Sequence, residues 1–283
     1  NPTEYQKTEC SKVCRLVALE DDESRFDAFL GMLSGDEIVV LDNYFFTTDY
    51  QKQIKAKGCS LVCLDGMTDK HYVADVLVCQ SLGLSRSDFQ LEPYTRLFTG
   101  LGYALLRRPF LEAPKAVRKD RSGLNAVVSF GGADKFNLTG RFAAALCSLD
   151  SVASITAITG DAYSFNAIGN GKVRYLRNLS AEEIAGIFTD ADFAVLPSSS
   201  VLKEAIACGT RCITGYFVEN QILSYNSFVA AGLAVGVGDF TSPDSVEKAV
   251  GLVSKGAFAN ANPDAAGIDA SIPAKYIEIF KSL

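Results

Sequence analysis

The sequence predicts an α/β protein of two Rossmann-like, doubly wound domains. Three observations carry this reading. Short apolar runs alternate with helical patterns along almost the whole chain, the pattern of a parallel sheet with helices on its faces. At 283 residues the chain has the length at which one core usually divides into two. Its 48% hydrophobic and 21% charged residues, with 23 glycines, match an ordinary folded α/β chain.

The opening residues are polar and helical in character. The expected strands of the first domain are residues 15–19, 37–41, 60–64 and 74–78, with Phe26, Phe29, Leu30 and Leu33 forming one apolar helix face between the first two. Residues 107–122 hold two prolines, many charges and no periodicity, so they are read as the interdomain linker. Domains are therefore expected at residues 1–120 and 121–283. The second domain offers strands at residues 124–130, 154–159, 173–176, 192–196, 211–216 and 233–237. Ser180 and Glu183 form a capping box before a helix, and Ser242-Pro243-Asp244 reads as a cap followed by a first-turn proline. Gly209 and Gly232 stand where helices end. A doubly wound domain ordinarily opens with its central strand and a glycine-rich turn. The polar opening here leads us to expect a further βαβ unit, about 30 or more residues, upstream of Asn1.

Composition excludes several functions. A net charge of -6 gives no general attraction to nucleic acid. No apolar run reaches the ~18 residues of a membrane span. The start, Asn1-Pro2-Thr3-Glu4, is polar rather than basic and then apolar, so a cytoplasmic monomer is expected. Eight cysteines include the pairs Cys10/Cys14, Cys59/Cys63 and Cys208/Cys212, but their spacing is not that of zinc ribbons. With His71 as the single histidine, they read as small buried hydrophobes, and neither metal nor cofactor is expected.

The chemistry gathers at the expected carboxyl ends of strands. Residues 192–209 run from a buried strand through Ser198-Ser199-Ser200 into a helix, which leaves free amides and a positive dipole end where a diphosphate could sit. Glu204 lies on the same helix face as Ser200 and could accept both hydrogens of a ribose diol. The structural alternative is that the serines cap the helix and Glu204 complements its dipole. Gly131-Gly132-Ala133-Asp134 follows another strand, and adjacent glycines let backbone approach a ligand. Arg177-Asn178-Leu179 could present backbone groups to a base edge. Glu219-Asn220-Gln221 offers amides that donate to and accept from a sugar, or simply a polar helix start. In the first domain Asp42 and Tyr44 end a strand and face the cleft; alternatively Asp42 caps the next helix and Tyr44 packs on Phe45 and Phe46. His71 reads as a solvated surface residue rather than a base.

Four segments then occur in one order over residues 37–240: Val40-Leu41-Asp42-Asn43-Tyr44, Gly102-Tyr103-Ala104-Leu105-Leu106-Arg107, Phe130-Gly131-Gly132-Ala133-Asp134, and Ser199 to Gly209 with Glu219-Asn220-Gln221. Together they resemble the UDP-2,4-diacetamido-2,4,6-trideoxy-altropyranose hydrolases of pseudaminic acid biosynthesis. The second half is also similar to the GT-B transferase that adds N-acetylglucosamine in peptidoglycan synthesis. The resemblance implies a GT-B-like arrangement of the two domains facing a cleft, with UDP on the second and its sugar pointing at the first. It gives Glu204 to the ribose hydroxyls, Ser199 and Ser200 with the following amides, Val201 among them, to the diphosphate, Asn220 and Gln221 to the sugar, and Tyr44 to the reacting face. With the strand-end turns added, the expected nucleotide set also holds Gly131, Gly132, Asp134 and Leu179, the sugar set Asn43, and the catalytic set Tyr44, Asp42 and Asn220. The implied reaction is hydrolysis of the anomeric C–O bond with release of UDP. A GT-B glycosyltransferase and a non-catalytic UDP-sugar-binding relative are the alternatives. The chain departs from the family at three places. It has no Gly-x-Gly-His loop, and His71 does not match one; Asn43 replaces a histidine, and Ala133 a hydroxyl residue. The family's base is accordingly expected upstream of Asn1.

Overall fold

A computed structural model describes residues 2–116 and 122–283, which divide into two compact units. The first comprises residues 1–79, 84–98 and 278–283, and the second residues 80–83 and 99–277. The expected domain boundary at residues 120 and 121 lies outside the described residues.

In the first unit, helices Glu4–Ser11 (α1), Ser24–Leu30 (α2) and Thr48–Ala56 (α3) accompany six short strands. Ile38–Leu41 (β1), Ser60–Leu64 (β2), Val76–Cys79 (β4) and Arg96–Thr99 (β6) form a sheet in the order β1-β2-β4-β6. His71–Tyr72 (β3) and Gln90–Leu91 (β5) pair separately. Leu61 and Leu77 from the sheet pack with Ile54 of α3, all fully buried, while Phe26, Phe29 and Leu33 close over them. The apolar helix face read from the sequence is the face that packs.

The second unit is a doubly wound sheet. Its strands are Leu124–Val128 (β7), Val152–Ile158 (β8), Val173–Leu176 (β9), Phe193–Pro197 (β10), Cys212–Tyr216 (β11) and Val235–Asp239 (β12). They lie in the order β12-β11-β10-β7-β8-β9, with every neighbouring pair parallel. Helices are Arg108–Glu112 (α4), Leu138–Cys147 (α5), Ala181–Asp190 (α6), Ser200–Ala207 (α7), Ile222–Ala230 (α8), Ser245–Ser254 (α9) and Ile272–Lys281 (α10), the last belonging to this unit as far as Ile277. The chain builds outward from β7 to β9, returns through α6, and builds the other way from β10. Strand order therefore reverses between β7 and β10, and ligands of such sheets bind in the crevice at the carboxyl ends flanking that reversal. Phe130, at the carboxyl end of β7, is buried edge-to-face on Phe240 at 4.7 Å and close to Phe142 at 5.3 Å. Burying such a ring contributes about 1.5–3 kcal/mol, which anchors the turn that follows.

The capping chemistry forms largely as read. Ser180 and Glu183 satisfy each other's backbone at 2.7 and 3.2 Å, and Gly209 and Gly232 take positive φ, +80° and +67°, just past α7 and α8. Other expectations are corrected. Residues 15–19 form no strand, and Leu16 and Val17 are exposed, because no neighbouring strand covers them. Pro243 precedes α9 rather than lying in its first turn; Asp244 is the cap, and the Ser242 hydroxyl donates to it at 2.6 Å. Residues 107–116, read as linker, fold onto the second unit. There α4 packs on α6 and α7, and Lys115 donates to the carbonyls of Ala207 and Ile268. Among the described residues, no helix is long and apolar enough to cross a membrane.

Candidate functional site

Two turns flank the strand-order reversal of the second sheet. After β10, Ser198 is buried and shares a 2.9 Å hydrogen bond with Thr214 on β11, which fixes the turn to the sheet. Ser199 is extended and is the N-cap of α7, yet its side chain makes no capping bond. Its amide donates to Pro197 at 2.8 Å, and Leu202 donates to the Ser199 carbonyl at 3.1 Å. The amides of Ser200 and Val201 meet no acceptor among the described residues. An uncapped helix start leaves its amides and the positive end of the helix dipole open at the carboxyl edge of the sheet.

After β7, Gly131 adopts φ +84°, and Gly131 and Gly132 both leave open space where a side chain would stand. Gly132 is approached by Gly160, which follows β8: a Cβ on Gly160 would collide with the Gly132 backbone. The two backbones therefore touch, and the Gly-Gly turn is held open toward solvent. Beside this contact, the Thr159 hydroxyl is buried without a partner among the described residues. Tyr163 braces the same edge. Its hydroxyl donates to Asn137 at 2.7 Å, and burial pushes its pKa up to about 12, so it stays a donor.

Asp134, expected at the nucleotide, is instead turned inward. At φ +35° and 5% exposure, its carboxylate accepts the amides of Leu138 and Thr139 at 2.8 and 2.7 Å and so caps α5. The α5 start is thereby occupied, while the α7 start is open.

Glu204 does not simply complement the α7 dipole. Its half-buried carboxylate accepts from the Arg107 guanidinium at 3.1 Å. Burial raises its pKa above the ordinary value, and the hydrogen bond and charge of Arg107 oppose that rise. Asn220 is exposed, and the Gln221 carbonyl accepts from Phe217 N–H at 3.1 Å, which leaves the Gln221 amide nitrogen as a donor. Phe136, half exposed, stands edge-on to Phe217 at 6.4 Å. Leu179 is half-buried after Asn178, whose φ is +53°, and it borders an open groove of about 510 Å³. That groove lies on the face of β7 to β9 against α6, and none of its lining residues belongs to the Gly131-Gly132 or Ser199–Val201 turns.

In the first unit, Asp42, Asn43 and Tyr44 are all exposed beyond β1. Asp42 is not the helix cap, since Thr47 caps α3 by accepting from Tyr50 N–H at 3.2 Å. Tyr44 is 70% exposed, and its amide bonds the Asn43 side chain at 2.7 Å. Sequence reading missed the support of this turn. Lys70 donates to the carbonyls of Tyr44 and Phe46 at 2.9 and 3.2 Å and to the buried Asp65 carboxylate at 2.7 Å. Asp65 also accepts from Gly66 and Met67 amides, so the ends of β1 and β2 are tied together. His71 lies in β3 with its imidazole 3.1 Å from Glu92.

All eight cysteines are free, and burial pushes the thiols of Cys63 and Cys208 up to about 12, which makes them poor nucleophiles at neutral pH. Among the described residues, no cluster of three His, Cys, Asp or Glu could hold a metal ion.

No protein-family model matches the chain. It is 23% identical over 171 residues to the spore coat polysaccharide biosynthesis protein SpsG of Bacillus subtilis, a match covering 58% of this chain and 50% of that protein. The chain spans about half the length of the curated relatives it matches, 43% and 50%. Among solved structures, MurG of Acinetobacter baumannii aligns with TM-score 0.60 and 12% identity, over 92% of this chain and 77% of that one. A protein of Listeria monocytogenes assigned as a UDP-N-acetylglucosamine 2-epimerase aligns with TM-score 0.57 and 12% identity, over 92% and 79%. The fold is thus that of the GT-B enzymes, and the chain is a distant relative of a polysaccharide biosynthesis protein.

Proposed function

We propose that this chain is the UDP-sugar-binding part of a nucleotide-sugar hydrolase acting in surface-polysaccharide precursor synthesis. One observation carries the reading: the uncapped start of α7, with Glu204 one turn on, stands at the strand-order reversal beside a glycine turn held open by Gly160. The α7 amides suit a diphosphate, and Glu204 suits a ribose diol. The Gln221 amide, Asn220 and the edge of Phe136 suit an N-acetylated sugar, whose amide and methyl need a polar and an apolar contact. The nucleotide half is residues 121–283, extended in this proposal by residues 99–116. The partner is a UDP-linked amino sugar, with no nucleic acid and no cofactor, in a cytoplasmic enzyme.

In hydrolysis, water attacks the anomeric carbon, the C–O bond to the diphosphate breaks, and UDP leaves as an anion that the α7 start stabilises. The water proton passes to a base. Within the first unit, Tyr44, Asp42 and Asn43 keep their proposed catalytic and sugar-side roles, with Lys70 and Asp65 fixing their turn. His71 is not assigned as the base, since its ring faces Glu92 on a separate pair of strands.

A glycosyltransferase is the second reading, favoured by the polysaccharide name of the relative and by the shared fold. Product analysis separates the two. Free sugar and UDP in equal amounts without acceptor support hydrolysis, whereas turnover that needs an added acceptor supports transfer. Independently, Glu204→Gln is expected to weaken UDP about tenfold to a hundredfold, the worth of hydrogen bonds to a charged group, and 2′-deoxy-UDP much less. Calorimetry reads both affinities. Equal weakening of the two ligands would assign Glu204 to α7 and Arg107 alone.

A further inference from the structure

We infer that Arg107 is a positioning residue for diol recognition, holding the Glu204 carboxylate so that its remaining lone pairs face the two hydroxyls of a nucleoside diphosphate's ribose; this rests on the nucleotide reading above. The residues before Arg107 are pinned for that task. Leu101 and Ala104 are buried. The Gly102 carbonyl accepts from Lys275 at 3.0 Å, the Tyr103 carbonyl from the Tyr276 hydroxyl at 2.7 Å, and Leu105 N–H donates to Gln80 at 3.0 Å. Arg107 itself is extended, as the residue preceding α4, and its guanidinium lies over the ring of the fully buried Phe110 at 5.0 Å. With the preceding residues pinned and the Phe110 ring beneath it, the half-exposed guanidinium presents Nη2 to Glu204 Oε1 at 3.1 Å.

The chemistry requires such a partner. The Glu204 side chain is only 16% exposed. A carboxylate so placed is unfavourable unless paired. An ionised carboxylate has about four lone-pair sites on two oxygens, so one bond from Arg107 leaves room for two hydroxyl donors. Arg107 is 97 residues from Glu204 in sequence, and the ordered segment 101–107 is what closes that separation.

The test titrates the full chain with UDP and with 2′-deoxy-UDP, by calorimetry, in the wild type and in Arg107→Met, Arg107→Lys and Glu204→Gln. Arg107→Met is expected to weaken UDP about tenfold, the worth of one charge-assisted hydrogen bond, and 2′-deoxy-UDP, which keeps the 3′-hydroxyl as one donor to Glu204, by only about threefold. Arg107→Lys is expected to recover most of the loss. Equal loss of both ligands in Arg107→Met marks a purely structural ion pair and overturns the proposal. Tighter UDP binding marks Arg107 as a competitor for Glu204 and overturns it as well. Should Arg107→Met not fold, Arg107→Gln carries the same comparison. If Glu204→Gln does not separate the two ligands, the ribose role of Glu204 fails and the Arg107 proposal with it, and if the wild type binds neither ligand the nucleotide reading itself fails, a result distinct from failure of the Arg107 role.

Discussion

Ser200→Pro is expected to weaken UDP about tenfold to a hundredfold while leaving α7 and the stability of the second unit intact. Proline at the first helical position is well tolerated, because the amide it removes has no helical partner and its φ suits a helix start. Proline also demands an extended preceding residue, and Ser199 is already extended at φ -131°, ψ -165°. The substitution therefore deletes one backbone donor with little other change. A hydrogen bond to a charged group is worth about 1.5–3 kcal/mol, which sets the expected loss. The control is Ser200→Ala, which removes the hydroxyl but keeps the amide and is expected to bind more tightly than the proline variant. Calorimetry with UDP and a thermal melt decide the matter. Unchanged UDP affinity in a folded Ser200→Pro protein would remove the α7 start from the site.

The second large effect is on stability. Lys70→Met is expected to destabilise the first unit by about 3–5 kcal/mol, because it leaves the Asp65 charge buried without its partner. Side-chain exposures are 14% for Lys70 and 4% for Asp65. Lys70 also holds the Tyr44 and Phe46 carbonyls, so the turn bearing Asp42, Asn43 and Tyr44 loosens in the same variant. The double variant Lys70→Met/Asp65→Asn is expected to recover much of the loss, since it removes the unpaired charge. Urea denaturation followed by circular dichroism measures both. A single-variant loss below about 1 kcal/mol would place the pair among ordinary solvated ion pairs.

Much of the scaffold was legible in the sequence because buried parallel strands are continuous apolar runs bounded by turn residues. β2 and β9 fall where the runs at residues 60–64 and 173–176 place them. Two-residue strands such as His71–Tyr72 and Gln90–Leu91 carry no period to read. Residues 15–19 show the reverse failure: an apolar run specifies a strand only where a neighbour covers it. Candidate turns were legible for a related reason, since in a doubly wound sheet the functional edge is wherever strands end. Side-chain partnerships were not. Asp134 faces inward because a positive φ turns the chain beneath α5. Glu204 meets Arg107, and Tyr44 leans on Lys70, through contacts between residues 97 and 26 positions apart. Arg107 stood in a recognised segment without a role, and Gly160 followed a strand end; these were the available signals.

The central claim, that a UDP-sugar sits at the strand-order reversal of the second sheet, is tested most directly by amide NMR shifts during a UDP titration of the 283-residue chain. The account predicts that the amides of Gly131, Gly132, Ser200 and Val201 shift together along one binding curve. Their movement should be largest at Ser200 and Val201, where the diphosphate lies. Shifts confined to the groove on the β7 to β9 face, with those four amides unmoved at saturation, would contradict it.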